Sequence, residues 1–160
     1  MNIYGTNTRT LSGEATSLSR FAGQVTLIVN VASECGYTPQ YAGLERLQQR
    51  FKARGFSVVG FPSNDFGGQE PGTPEQIQTF CSTRYNVSFP LFEKVSTKAG
   101  PEQSPVYAAL SEASGALPKW NFSKYLVGRD GKVIEFYPSS VDPEDPKLVS
   151  AIESALAASA

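Results

Sequence analysis

The chain has 160 residues, 14 lysines and arginines against 15 aspartates and glutamates, and no histidine. Such a length suits one domain over residues 1–160 and buries about 70% of the unfolded surface, so neither a disulfide nor a metal is needed as a staple. Scattered charge with a net of −1 excludes the basic stripe of a nucleic-acid-binding surface, and the missing histidine excludes Ser-His-Asp triads, Cys-His dyads and imidazole-held metals. Met1 to Thr10 is polar, with no basic region leading into an apolar core, so a cytoplasmic protein is expected. No apolar run reaches the ~18 residues of a membrane span.

Gln24 to Val31 is nearly continuous, apolar and β-branched, which predicts a central strand buried on both faces. A loop with Cys35 and Gly36 follows. Pro39 to Arg54 reads as a helix with Leu44, Leu47 and Phe51 on one face, ended by Gly55. Phe56 to Phe61 is a second buried strand, parallel to the first. After a loop rich in Gly, Asn and Pro, Thr73, Pro74 and Gln76 predict an N-cap, an opening proline and a capping box for a helix reaching about Tyr85. Its inward side is Ile77, Phe80 and Cys81.

Leu91 to Val95 is expected as a short strand. Ser104 and Pro105 open a helix with Val106, Tyr107 and Leu110 inward. Phe122 to Val127 and Lys132 to Tyr137 form a hairpin around the Asp130-Gly131 turn. Asp145 and Pro146 start a last helix, with Leu148, Val149, Ile152 and Leu156 spaced for burial. Parallel strands first and an antiparallel hairpin later give an α/β protein with a central mixed sheet flanked by helices. A thioredoxin-like fold is the simplest such architecture.

Without imidazole, a nucleophile here must be activated by other means. A thiol suits that requirement, since helix termini and hydrogen-bond donors favour its ionised form. Cys35 sits between strand and helix at the carboxyl edge of the sheet, where open α/β sheets place their sites. It reads either as a reactive thiol or as a buried structural cysteine. The spacing Cys35-Gly-Tyr-Thr38 is that of a CxxC motif, but Thr38 stands where the second sulfur would be. Any internal disulfide needs Cys81, whose place on an apolar helix stripe by itself favours a structural role. Trp120 and Asn121 decide little in isolation, since a lone tryptophan is more often core than catalytic, and Gln69 in its glycine-rich loop reads first as a residue that faces water.

Three segments break this ambiguity. Asn30-Val31-Ala32-Ser33, Cys35-Gly36, Thr38 and Tyr41 resemble the peroxidatic-site motif of the glutathione peroxidase family. Phe61-Pro62, Asn64, Phe66 and Gln69-Glu70-Pro71-Gly72 resemble its second signature, and Trp120-Asn121-Phe122 its third. They come in the family's order and spacing, within a similarity that runs over nearly the whole chain. The resemblance implies a catalytic centre of Cys35, Gln69, Trp120 and Asn121, with no cofactor and no metal. The segment Phe80-Cys81, Tyr85, Val87 and Phe89-Pro90 resembles the resolving-cysteine block of two-cysteine members, which usually draw electrons from thioredoxin rather than glutathione. The expected activity is reduction of hydrogen peroxide and organic or lipid hydroperoxides through a Cys35 sulfenic acid, resolved by Cys81 and recycled by thioredoxin. A redox relay that passes its disulfide to a client protein is the alternative.

The chain departs from the family pattern at four places. Ser63 replaces a cysteine, Asp65 stands where Gln is frequent, Glu34 sets a negative charge beside Cys35, and Phe136 occupies a position that is often arginine. The last weakens a basic glutathione-binding surface. The short stretch from Gly100 to Trp120 lacks the long insertion of tetrameric relatives, so a monomer with an open site is expected.

Overall fold

The computed structural model describes residues 2–158. Its main sheet has four strands: β3 (Val25–Val31), β4 (Phe56–Pro62), β5 (Lys124–Val127) and β6 (Val133–Tyr137), in the order β4-β3-β5-β6. β3 pairs parallel with β4 and antiparallel with β5, and β5 pairs antiparallel with β6, so the sheet is mixed as expected. The helices are α1 (Gln40–Phe51), α2 (Pro74–Tyr85), α3 (Pro105–Ser114) and α4 (Pro146–Ala157). A small hairpin, β1 (Asn7–Arg9) with β2 (Ala15–Ser17), precedes them. It has no apolar run, which is why its sequence does not announce strands.

Every residue of β3 and β4 is buried, because the sheet is covered on both faces. Alternation along β3 sends Val25, Leu27, Val29 and Val31 to one face, where they pack with Leu44, Leu47 and Phe51 of α1 and Leu148 and Ile152 of α4. Ile28 points to the other face, into a cluster with Val106, Tyr107 and Leu110 of α3. Gly55, in the left-handed conformation at φ 92°, closes the turn after α1, as its sequence position predicts. Thr73 and Gln76 form the expected capping box at the start of α2.

Two expected strands differ by more than one residue. The hairpin strand begins at Lys124 rather than Phe122, because Phe122 has a φ of +63° and is not extended. Leu91 and Phe92 make only isolated bridges, the first parallel to Gly60 and the second antiparallel to Thr10. The chain changes partner at successive residues there, so no continuous ladder forms.

The topology gathers three segments at one edge of the sheet. Val31 and Pro62 end the parallel strands β3 and β4 side by side, so the Cys35 loop and the Gln69 loop leave the sheet together. β5 runs the opposite way with Lys124 opposite Val29, which brings the residues just before it, Trp120 and Asn121, to that edge.

Candidate active site

Cys35 is buried to within 7% exposure in the turn after β3, and its thiol is free. Its turn is built by one hydroxyl. Thr38 Oγ1 accepts from the Cys35 amide at 2.8 Å and donates to the Ala32 carbonyl at 2.8 Å. Thr38 thus replaces a second sulfur with a bridge that fixes the loop. The Tyr37 N–H points at the Cys35 sulfur at 3.3 Å, a donor that helps to hold negative charge there. Glu34, beside Cys35 in the chain, is exposed.

The other candidates converge through direct bonds. The Glu34 amide donates to the Gln69 carbonyl at 3.0 Å, tying the Cys35 loop to the Gln69 loop. Asn121 Nδ2 donates to Gln69 Oε1 at 3.0 Å. Asn121 is fully buried and its Oδ1 has no protein partner among the described residues, so its amide is held by geometry rather than saturated by bonds. Trp120 packs on the buried cluster that contains Cys35 and lies 5.8 Å, ring to ring, from Phe66. Gly67, at φ +67°, allows this approach: a Cβ there would meet the Trp120 ring at 3.1 Å.

Asn30, part of the first motif, holds the third motif in place. Fully buried on β3, it donates from Nδ2 to the Trp120 carbonyl and accepts at Oδ1 from the Ser123 amide, each at 3.0 Å. It clamps the Trp120–Ser123 turn, in which Phe122 takes its left-handed conformation. A polar residue within an apolar, β-branched strand is the sequence signal for such a clamp. Asp65, another departure, accepts from the Thr97 amide at 2.5 Å and Thr97 Oγ1 at 3.0 Å, so it anchors a loop. Ser63 is buried and accepts from the Asp65 amide at 3.3 Å.

Cys81 is fully buried on α2, on the inward side its sequence position predicts. Its carbonyl accepts from the Asn86 amide and from the Val87 amide, the latter at 3.1 Å, and Asn86 takes the left-handed conformation at φ 51°, which ends the helix. Burial pushes the Cys81 thiol up to about 11; the Tyr41 hydroxyl pulls it back, and the Glu70 carboxyl raises it further. In the closed helix this thiol is neutral and sheltered. Among the described residues no group of His, Cys, Asp and Glu could hold a metal ion.

The model of the family described as glutathione peroxidase matches residues 3–111. The chain belongs to the glutathione peroxidase family. With Cys35 at the centre of the first motif, it is a member of the cysteine, non-selenium type. It is 50% identical to a hydroperoxy fatty acid reductase of Synechocystis sp. over 153 residues, covering 89% of this chain and 90% of that one. It is 43% identical to the thioredoxin/glutathione peroxidase BtuE of Escherichia coli, with 98% of both chains covered. Among solved structures, Trgpx in its apo form superposes with a TM-score of 0.81 at 32% identity, over 100% of this chain and 99% of that one. The fold of this glutathione peroxidase family member is thioredoxin-like, with the family's three motifs at one sheet edge.

Proposed function

We propose that this peroxidase reduces hydroperoxides through Cys35, with Gln69, Trp120 and Asn121 as the groups that hold the reacting charge. The single observation that carries the reading is the convergence of three sequence-distant motifs, sealed by the Asn121–Gln69 bond and the Glu34–Gln69 bond. The Cys35 thiolate attacks the distal peroxide oxygen; the S–O bond forms as the O–O bond breaks. The departing oxygen takes a proton and leaves as water or alcohol. The Gln69 and Asn121 amides and the Trp120 indole are the donors available for the developing charge.

The product is a Cys35 sulfenic acid. Cys81, the other thiol of the chain, condenses with it to a disulfide, and thioredoxin returns the electrons. The name of the E. coli relative, thioredoxin/glutathione peroxidase, supports that donor. A transient catalytic disulfide recycled by thioredoxin fits a reducing compartment, the cytoplasm. The chain works as a monomer. No helix among the described residues is long and apolar enough to cross a membrane.

Substrates extend to organic and lipid hydroperoxides. A cavity of about 450 Å³ opens beside Trp120, walled by Tyr37, Trp120, Phe136 and Pro138, with Lys119 also lining it. Phe136, unlike an arginine, offers an acyl chain an apolar surface; its ring stacks edge-on with Tyr125 at 4.9 Å. The name of the Synechocystis relative, a hydroperoxy fatty acid reductase, supports the same class.

A coupled assay with thioredoxin and its reductase, run beside one with glutathione, tests the reading on hydrogen peroxide and cumene hydroperoxide. Steady turnover with thioredoxin is expected, abolished in Cys35→Ser because a hydroxyl supplies no thiolate. Substantial turnover in Cys35→Ser would remove Cys35 as nucleophile. Stoichiometric trapping of client proteins without turnover would make the chain a redox relay.

A further inference from the structure

Helix α2 is thinly anchored. Of its twelve residues only Ile77 and Cys81 are buried, against six in α1, a helix of the same length. Against it lies Glu70, which has no exposed surface. Both Glu70 carboxyl oxygens, and the Ser33 hydroxyl that faces them, are buried without a protein partner of hydrogen-bond geometry among the described residues. Glu70 and Ser33 line a cavity of about 400 Å³ with Gln76, Ile77 and Phe80, so α2 forms one wall beside Glu70. The Tyr41 hydroxyl, on α1, faces both Glu70 and the Cys81 thiol and also lacks a partner of proper geometry. Tyr41 is in turn packed among Phe80, Tyr85 and Phe89, the aromatic residues at and beyond the end of α2.

We propose that the buried Glu70 carboxylate destabilises the closed α2 and so drives the opening that delivers Cys81 to Cys35, a role that rests on reading Cys81 as the resolving thiol. A buried charge whose nearest donors, the hydroxyl and backbone amide of Ser33, lie outside hydrogen-bond geometry raises the free energy of the closed state. Opening α2 lets water reach Glu70 and frees Cys81 in one movement. The delivered Cys81 sulfur then attacks the sulfenic sulfur of Cys35. The S–S bond forms as the S–O bond breaks, hydroxide leaves and takes up the Cys81 proton as water, and the oxidation of Cys81 balances the reduction of Cys35. No outside oxidant enters.

The charged and titratable groups facing Glu70 are Glu34, Lys94, Tyr41 and Cys81. Burial holds the Glu70 carboxyl above its ordinary value; Ser33 and Lys94 pull it back, and Glu34 adds to the rise. The sign follows. Below the ordinary carboxyl value Glu70 is protonated in both states and the closed helix is fully favoured. As the pH rises through the raised value, that preference is lost and opening increases. Tyr41 and Cys81, both pushed up by burial, stay neutral throughout that range.

The test compares hydrogen exchange of α2 amides in Cys81→Ser with that in Cys81→Ser/Glu70→Gln, so that no disulfide forms. Glu70→Gln alone is followed by stopped flow. The neutral variant should lower α2 exchange and slow disulfide formation by about tenfold, the range of a relieved buried polar penalty. Oxidation of Cys35 should be unchanged. Equal α2 exchange in the two backgrounds would overturn the proposal. Should Glu70→Gln fold poorly, the wild-type chain still decides: from about pH 4 to 7, α2 exchange corrected for intrinsic rates should rise relative to α1, and parallel behaviour of the two helices overturns it. Full thioredoxin-driven turnover in Cys81→Ser overturns the resolving role, and the delivery with it, whatever the exchange shows.

Discussion

Asn121 donates its side-chain amide to Gln69 Oε1 at 3.0 Å, so two motifs far apart in the chain meet in one hydrogen bond. That bond orients the Gln69 amide with its carbonyl occupied, which leaves the Gln69 NH₂ group without an acceptor among the described residues. Asn121→Ala should therefore release Gln69 as well as remove one donor. The expected result is slower Cys35 oxidation by roughly a hundredfold, the scale for a lost charge-stabilising donor. Single-turnover stopped flow reads the rate, and a cooperative thermal transition confirms that the variant is folded. Wild-type rates in Asn121→Ala, Gln69→Ala and a Trp120 variant alike would take all three out of the catalytic assignment.

Thr38 joins the Cys35 amide to the Ala32 carbonyl inside the protein, at 5% exposure. Thr38→Val keeps the shape but strands a buried donor and a buried acceptor. Stability should drop by about 1–3 kcal/mol in urea unfolding. Peroxide reduction should weaken as well, since the turn that aims the sulfur loses its bridge. Thr38→Ser restores the hydroxyl and should recover both. A stable Thr38→Val with unchanged kinetics would make the bridge incidental.

Much of this was legible in the chain. The β-branched runs around Leu27 and Val58 marked two buried strands, and Thr73 with Gln76 marked the capping box of α2, because both signals are local. The site motifs were visible for the same reason. What the sequence did not disclose is non-local. The Asn30 clamp, the bare Glu70 carboxyl and the three oxygens around Lys124 depend on residues that meet only after folding. The start of the hairpin strand is equally hidden, because a phenylalanine gives no sign of the positive φ that Phe122 adopts.

Lys124 opens β5 fully buried, donating to Gln40 Oε1 at 2.7 Å and to the carbonyls of Ser139 and Val141. Burial lowers its ammonium to about 7, against a partial lift from Asp142. Between that value and the ordinary lysine value the unfolded chain binds the extra proton, so stability rises with pH. Cys81, raised to about 11, works in the opposite direction only as the pH passes the ordinary thiol value. Urea unfolding from about pH 7 to 8.5 should thus show increasing stability in the wild type. In Lys124→Met that rise should be flatter, with a lower plateau because the buried oxygens around the amine lose their donor. An identical slope in the variant would remove Lys124 as its source.

The resolving step offers the last test, through residues that touch neither sulfur. On the exposed side of α2, Ser82 Oγ donates back to the Gln78 carbonyl at 2.9 Å and Thr83 Oγ1 to the Thr79 carbonyl at 2.6 Å. Such back-bonding slightly weakens a helix, and Ser and Thr are poorer helix formers than Ala. The helix that carries Cys81 is therefore held loosely on both sides: two buried residues within, weak formers without. Ser82→Ala/Thr83→Ala should stabilise α2 by about 1 kcal/mol and make its opening about fivefold rarer. If Cys81 reaches Cys35 only by that opening, disulfide formation should slow by the same factor while the first oxidation of Cys35 keeps its rate. Cys81→Ser should keep that single oxidation and lose thioredoxin-supported turnover. Stopped flow followed by quantification of free thiols separates the two steps. A double variant that forms its disulfide at the wild-type rate, with its α2 demonstrably stabilised by hydrogen exchange, would mean that Cys81 arrives by a route that leaves the helix intact.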